Sequence, residues 1–141
     1  HLPAAHTDGD LYVHLPQPNV IVAGGVVAAG RYPTIDYSTG GWIGGMAEAT
    51  RSLIGLANEH TRIIPGCGAI LSRADLQAQL KMLETIRDRI GNAIRKALDF
   101  EELLATAPTR EFNDRFGDPT QFLQLAWAST RGHERDLGWI F

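Results

Sequence analysis

His6-Thr-Asp-Gly-Asp10, Asn19-Val-Ile-Val-Ala-Gly-Gly-Val-Val27 and Arg62-Ile-Ile-Pro-Gly-Cys-Gly68 are the stretches on which the fold turns. The last two open as β-branched runs and close in small, turn-forming residues. A buried strand has that pattern where it delivers one side chain to the rim of a sheet. Three such rims, carrying His6, Gly25 and Cys67, are expected to converge on one site.

Outward from these stretches, Leu11 to Leu15 alternates, with Leu11, Val13 and Leu15 on one face of a strand and Tyr12 and His14 on the other. Pro16-Gln-Pro-Asn19 is a turn, and Val20 to Val22 reads as a strand covered on both faces. Residues 28–41 are irregular, which in a compact domain marks a functional or packed loop. From Trp42, Ile43, Met46, Thr50, Leu53 and Ala57 recur at helical spacing, with Gly44 and Gly45 each costing about 1 kcal/mol in the first turns. Thr61 to Ile64 is the third strand. Ser72-Arg-Ala-Asp75 is a capping box opening a long helix, whose stripe is Leu76, Leu80, Leu83, Ile86, Ile90, Ile94 and Leu98. A short helix is expected over Asp99–Leu104, and another, capped by Asp118 and Pro119, up to Gly132. The domain is read as residues 1–132, followed by a tail, 133–141, without periodicity that ends in Trp139-Ile-Phe141 and is expected to dock on its own domain. Strands followed by helices predict an α/β fold.

The chain has 141 residues and a net charge of −3. That is one domain's length, enough to bury roughly two-thirds of the surface of the unfolded chain. No window approaches the ~20 apolar residues of a membrane span, and no basic cluster matches a phosphate backbone, so neither membrane nor nucleic acid is an expected partner. Cys67 is the only cysteine, which rules out an internal disulfide and suits a reducing, cytoplasmic compartment. The chain opens at His1 without methionine, so the sequence leaves open whether it is part of a longer protein.

The motifs resemble the C-terminal half of a metallo-β-lactamase-fold hydrolase. Members of that family build an αββα sandwich from two similar halves and hold one or two metal ions at its rim. Their second half supplies a histidine, an aspartate after a glycine at a strand end, and a histidine in a Pro-Gly-His-Gly turn. His6 in Ala-His-Thr-Asp-Gly-Asp matches the first. Gly25 stands where the family has the aspartate, and Cys67 stands in Pro-Gly-Cys-Gly where it has the histidine. The first-half motif of clustered histidines and an aspartate is absent. The resemblance runs from about His1 to Trp127 and takes in Gly30-Arg-Tyr-Pro-Thr-Ile-Asp36, Gly40-Gly-Trp-Ile-Gly-Gly-Met46 and Ser72-Arg-Ala-Asp-Leu76.

The departures have chemical consequences. A bridging aspartate offsets the repulsion between two cations, and glycine offers no ligand in its place. Zinc requires about three or four protein ligands, and His6 with Cys67 makes two. A third must come from Asp8, Asp10, Asp36, His14 or a second chain. Asp10 has the alternative role of anchoring a turn, and His6 that of a hydrogen-bonded loop residue. A nucleophilic Cys67 with His6 as its base competes with an inert, partly buried thiol. Ala23-Gly-Gly-Val-Val-Ala-Ala-Gly30 lacks the glycine spacing of a dinucleotide loop. His14, His60 and His133 are scattered and read as surface or strand residues.

Half of an αββα sandwich leaves the inner face of its sheet bare. The resemblance therefore implies either a homodimer or docking on a complementary N-terminal half. Two readings follow. One is a non-catalytic, self-associating half-domain without a cofactor and with a small-ligand site at the vestigial rim. The other is a zinc-dependent hydrolase, active as a dimer or as part of a longer enzyme, with His6 and Cys67 as ligands and Asp8 or Asp10 in support.

Overall fold

The computed structural model of the chain describes residues 1–138, with side chains described through Arg135. Strands β1 (Val13–Leu15) and β2 (Val20–Gly24) pair antiparallel, with Val13 opposite Val22 and Leu15 opposite Val20. The turn between them ends at Asn19, which takes a left-handed φ of 54° that asparagine tolerates better than most residues. The Asn19 side chain also accepts from the Thr61 hydroxyl (2.7 Å) and donates to Asn58 (3.0 Å). One turn residue thus ties the start of β2 to the approach to its next neighbour. Helix α1 (Ile43–Leu56) crosses over to β3 (Arg62–Pro65), which lies parallel to β2 with Ile21 opposite Ile63 and Val22 opposite Ile64. The sheet is therefore small, mixed and ordered β1-β2-β3.

Helix α2 (Arg73–Arg95) opens on the expected capping box, in which Ser72 N–H donates to Asp75 (2.7 Å) and Asp75 N–H donates to the Ser72 hydroxyl (3.2 Å). Helix α3 (Phe100–Ala105) has a second box, between Asp99 and Glu102. A short helix α4 (Asn113–Phe116) precedes α5 (Thr120–Gly138), whose first turn Asp118 caps by accepting from Thr120 N–H (2.9 Å). Helix α5 corrects the expected end at Gly132, since His133 to Gly138 continue it. Arg131, Glu134 and Arg135 dilute the apolar period there, but the backbone runs on. Trp139-Ile-Phe141 lies outside the described residues.

The two faces of the sheet differ. Ile21, Ala23 and Ile63 are fully buried in one core with Met46 and Leu53 of α1 and Leu83 and Ile86 of α2. That is the α/β layering expected, with the helices on one face. The long stripe of α2 is rotated slightly from its expected line: Gln79, Met82 and Ala93 are buried, while Leu80 and Ile94 are only partly so. The opposite face of the sheet carries the alternate residues. An antiparallel bridge between Ile63 and Leu71 continues the sheet past β3, and its register sets Ile70 opposite Ile64. A row of β-branched side chains, Val13, Val22, Ile64 and Ile70, thus crosses four neighbouring segments, spanning about 15 Å. Val13 is 53 % exposed, Ile64 37 % and Ile70 58 %, whereas Val22 is half-buried and Val20, on the same face, is buried. Val20 and Ile21 are buried and Val22 is half-buried, so the strand is covered on both faces at its start, as expected, and opens on one face at Val22.

Arg89 on α2 grips Glu111 with two parallel bonds, Nη1 to Oε2 at 3.0 Å and Nη2 to Oε1 at 2.6 Å, and donates to the Pro108 carbonyl (2.6 Å). These bonds hold the Glu111 carboxyl down at about 2, from its ordinary 4.5. A carboxyl whose folded value is depressed stabilises the fold above its unfolded value and loses that contribution as pH falls. The melting temperature is therefore expected to drop as pH goes from 4.5 towards 2. Arg89→Gln should remove the part of that drop due to this pair, worth at most about 1 kcal/mol because both groups are solvent-accessible. Equal acid sensitivity in the variant would show that other carboxyls carry it.

Candidate functional site

At the ends of β2 and β3 the chain is built for close approach. Gly24 has φ 58°, the pairing register breaks between Val22 and Gly24, and Gly66 N–H donates to the Gly24 carbonyl (2.9 Å). Against this junction lies the N-terminal loop. Asp10 accepts from Thr7 N–H (2.9 Å) and the Thr7 hydroxyl (3.1 Å), so it anchors a turn as its residue type suggests. His6 Nδ1 stands 3.6 Å from Asp10 Oδ1, beyond hydrogen-bonding distance but close enough for charge attraction if the ring is protonated.

His6 occupies space that only a glycine leaves. A Cβ added at Gly25 would lie 2.5 Å from His6 Nδ1 and 2.9 Å from Cε1. An aspartate at position 25 and the present place of the His6 ring are therefore mutually exclusive. The loop itself is pinned to α1 by a backbone seam: Trp42 N–H donates to Ala5 O (3.0 Å), Asp36 N–H to His6 O (2.8 Å) and Asp8 N–H to Thr39 O (2.9 Å). Gly41 and Gly45 make this seam possible, since a Cβ at Gly41 would fall on the His6 carbonyl oxygen and one at Gly45 on that of Ala4. The helix-breaking cost of Gly45 thus has a packing cause.

The three rims do converge. His6, Gly25, Gly66 and Cys67, with Val27 and Ala28, line an open pocket of about 160 Å³ completed by Arg31 and Thr34. The Val26–Ala28 wall is held by Gln79, buried on α2. Its Nε2 donates to Val26 O (2.9 Å) and the Thr50 hydroxyl (3.1 Å), and its Oε1 accepts from Ala28 N–H (3.2 Å). Arg31 and Thr34 are set by Tyr32 between them. Its N–H donates to Phe116 O (3.0 Å), its hydroxyl donates to Asn113 Oδ1 (2.8 Å), and its ring lies 5.0 Å from that of Phe122. Burial pushes the Tyr32 phenol up to about 12, so it stays neutral and continues to donate.

Arg31, Thr34 and Gln79 do not stand out in the sequence. The first two lie in the irregular loop where function or packing was expected, and Gln79 sits in an apolar stripe where its polar head gives no periodic signal. Cys67 is exposed at the pocket, not partly buried. Asp8, Asp36 and His14 do not line it. Asp36 accepts from Ser38 N–H (3.1 Å), and the Ser38 and Thr39 hydrogen bonds hold its carboxyl below the usual range. His14 lies on β1 opposite Ile21. Among the described residues no three histidine, cysteine or acidic side chains come together. His133 is not an isolated surface residue, since its ring stacks on Trp42 at 3.8 Å.

No family model matches the chain, and no curated protein matches it. No helix among the described residues is long and apolar enough to cross a membrane.

Proposed function

We propose that this chain is a non-catalytic half-domain of the metallo-β-lactamase kind, which pairs with a second copy of itself across its sheet and keeps a small-ligand pocket at the rim. The partly exposed apolar row Val13–Val22–Ile64–Ile70 carries the reading. Apolar surface in water costs about 25 cal/mol per Å², and a contiguous apolar patch on a sheet face marks an interface. In the parent fold two similar halves stack sheet on sheet about an approximate two-fold axis, so a second copy is the natural cover. The place of the His6 ring over Gly25, where the family's aspartate would stand, supports a rim no longer built for two metals.

Native mass by light scattering, with zinc determined on the same sample, tests this. The expected result is a particle of twice the chain mass that is free of zinc and hydrolyses neither esters nor lactams. A monomer at micromolar concentration would sink the self-association. The second reading, a zinc-dependent hydrolase, draws on the presence of His6 and Cys67 in one pocket and needs further donors from a second copy or a longer chain. About one zinc per chain or per dimer, with hydrolysis lost on His6→Ala, would decide for it.

A further inference from the structure

We infer that the rim pocket binds a small oxyanion, a carboxylate or phosphate group, held by Arg31. This rests on the rim being a retained ligand pocket, and it assigns the chemistry of the ligand. Arg31 is the one residue with a fixed charge on the lining, and no carboxylate lines the pocket. Arg51, Arg87, Arg89 and Arg115 pair with acids; Arg31, like Arg62, Arg110 and Arg131, makes no ion pair or side-chain hydrogen bond with any described residue, and of these four it is the one that lines this pocket. A guanidinium offers a planar fork of donors matched to a carboxylate or phosphate.

The rest of the lining suits the same ligand. Thr34 brings a hydroxyl, His6 an imidazole, and the Gly25 and Cys67 amides donate to no acceptor among the described residues. The pocket, about 160 Å³ and open to solvent, has room for one oxyanion group with a few further atoms. Val27 and Ala28 give those further atoms an apolar wall.

Cys67 reports on the pocket, because it is the only cysteine, is exposed and lines the same wall. Its alkylation can be followed by mass with two reagents of similar size, iodoacetate, which is a carboxylate, and neutral iodoacetamide. In both reactions the thiolate sulfur displaces iodide. The ratio of iodoacetate to iodoacetamide rates is expected to be about fivefold higher in the native protein than in Arg31→Gln, as one nearby charge pair in a solvent-exposed site would give. Inorganic phosphate or propionate should slow carboxymethylation saturably in the native protein but not in the variant, and whichever acts at lower concentration identifies the preferred oxyanion. An equal ratio in the two proteins, or slowing matched by chloride at the same ionic strength, overturns the inference. Light scattering of the same samples separates this from the wider reading. An intact dimer without the anion effect removes the site alone, and a monomer that keeps the effect removes the self-association alone.

Discussion

Gly45→Ala is expected to lower the stability of the domain by about 3 kcal/mol, read as a fall in the urea midpoint, even though alanine is the better helix former. The sign depends on what stands beside the new methyl. At an open helical position the exchange would stabilise by up to about 1 kcal/mol, because alanine loses less backbone entropy on folding than glycine. At Gly45 the Cβ would fall on the Ala4 carbonyl oxygen and lie 2.7 Å from Trp42 Nε1. The first of these is backbone, and it is tied in place by neighbours: Trp42 N–H donates to Ala5 O and Asp36 N–H to His6 O. Room can be made only by lifting residues 4–6 off α1, which strains or breaks those bonds and displaces His6 from Gly25. The variant should therefore also alter the alkylation rate of Cys67, which faces the same pocket. Gly55 is the internal control. It lies in the same helix with nothing within 4 Å of its would-be Cβ, so Gly55→Ala should be neutral or stabilising. If Gly45→Ala matched Gly55→Ala, the close seam between the N-terminal loop and α1 would be wrong.

That contrast also shows where the sequence was legible. Strand positions and the Ser72–Asp75 capping box follow from local chemistry and are found where expected, and Val13 and Leu15 share a face as the alternation indicates, though which face meets solvent was not readable. The convergence of His6, Gly25 and Cys67 on one pocket was also readable, since each sits at a strand end or rim turn. Features that depend on a partner distant in sequence were not. Gly45 looks like a cost until Ala4 is seen above it, and Gln79 looks like a break in an apolar stripe until its amide is seen joining Val26 to Thr50. Arg31 and Thr34 take their places from the packing of Tyr32 on Phe122 and Asn113, which lie some 80 to 90 positions away. Helix α5 outruns its apolar period because the stacking of His133 on Trp42 uses a polar residue as a packing surface.

Ile64→Glu is expected to turn the proposed dimer into a monomer, weakening self-association at least about 100-fold while leaving the fold nearly as stable as before. Ile64 stands in the apolar row between Val22 and Ile70, and its side chain points away from the helices. In the separated chain a glutamate there stays in water, so the change should cost no more than about 1 kcal/mol of stability. In a two-fold interface each residue is presented twice, so one substitution places two carboxylates in the covered sheet face. Burying an unpaired charge costs several kcal/mol, and the two like charges also repel each other. The expected light-scattering mass is therefore that of one chain, with an unchanged far-UV spectrum and a urea midpoint that no longer depends on protein concentration. Val13→Lys, on the open edge of the same row, guards against a local effect at β3, and it should dissociate the dimer independently. Lys81→Glu, on the polar face of α2, should leave the mass unchanged. A dimer that survives both sheet-face changes would move the interface elsewhere and leave the partly exposed row without its proposed cover. Monomers from both, each still shielding Cys67 with phosphate, would separate the two roles of the sheet: one face for association, and the ends of its strands for the ligand.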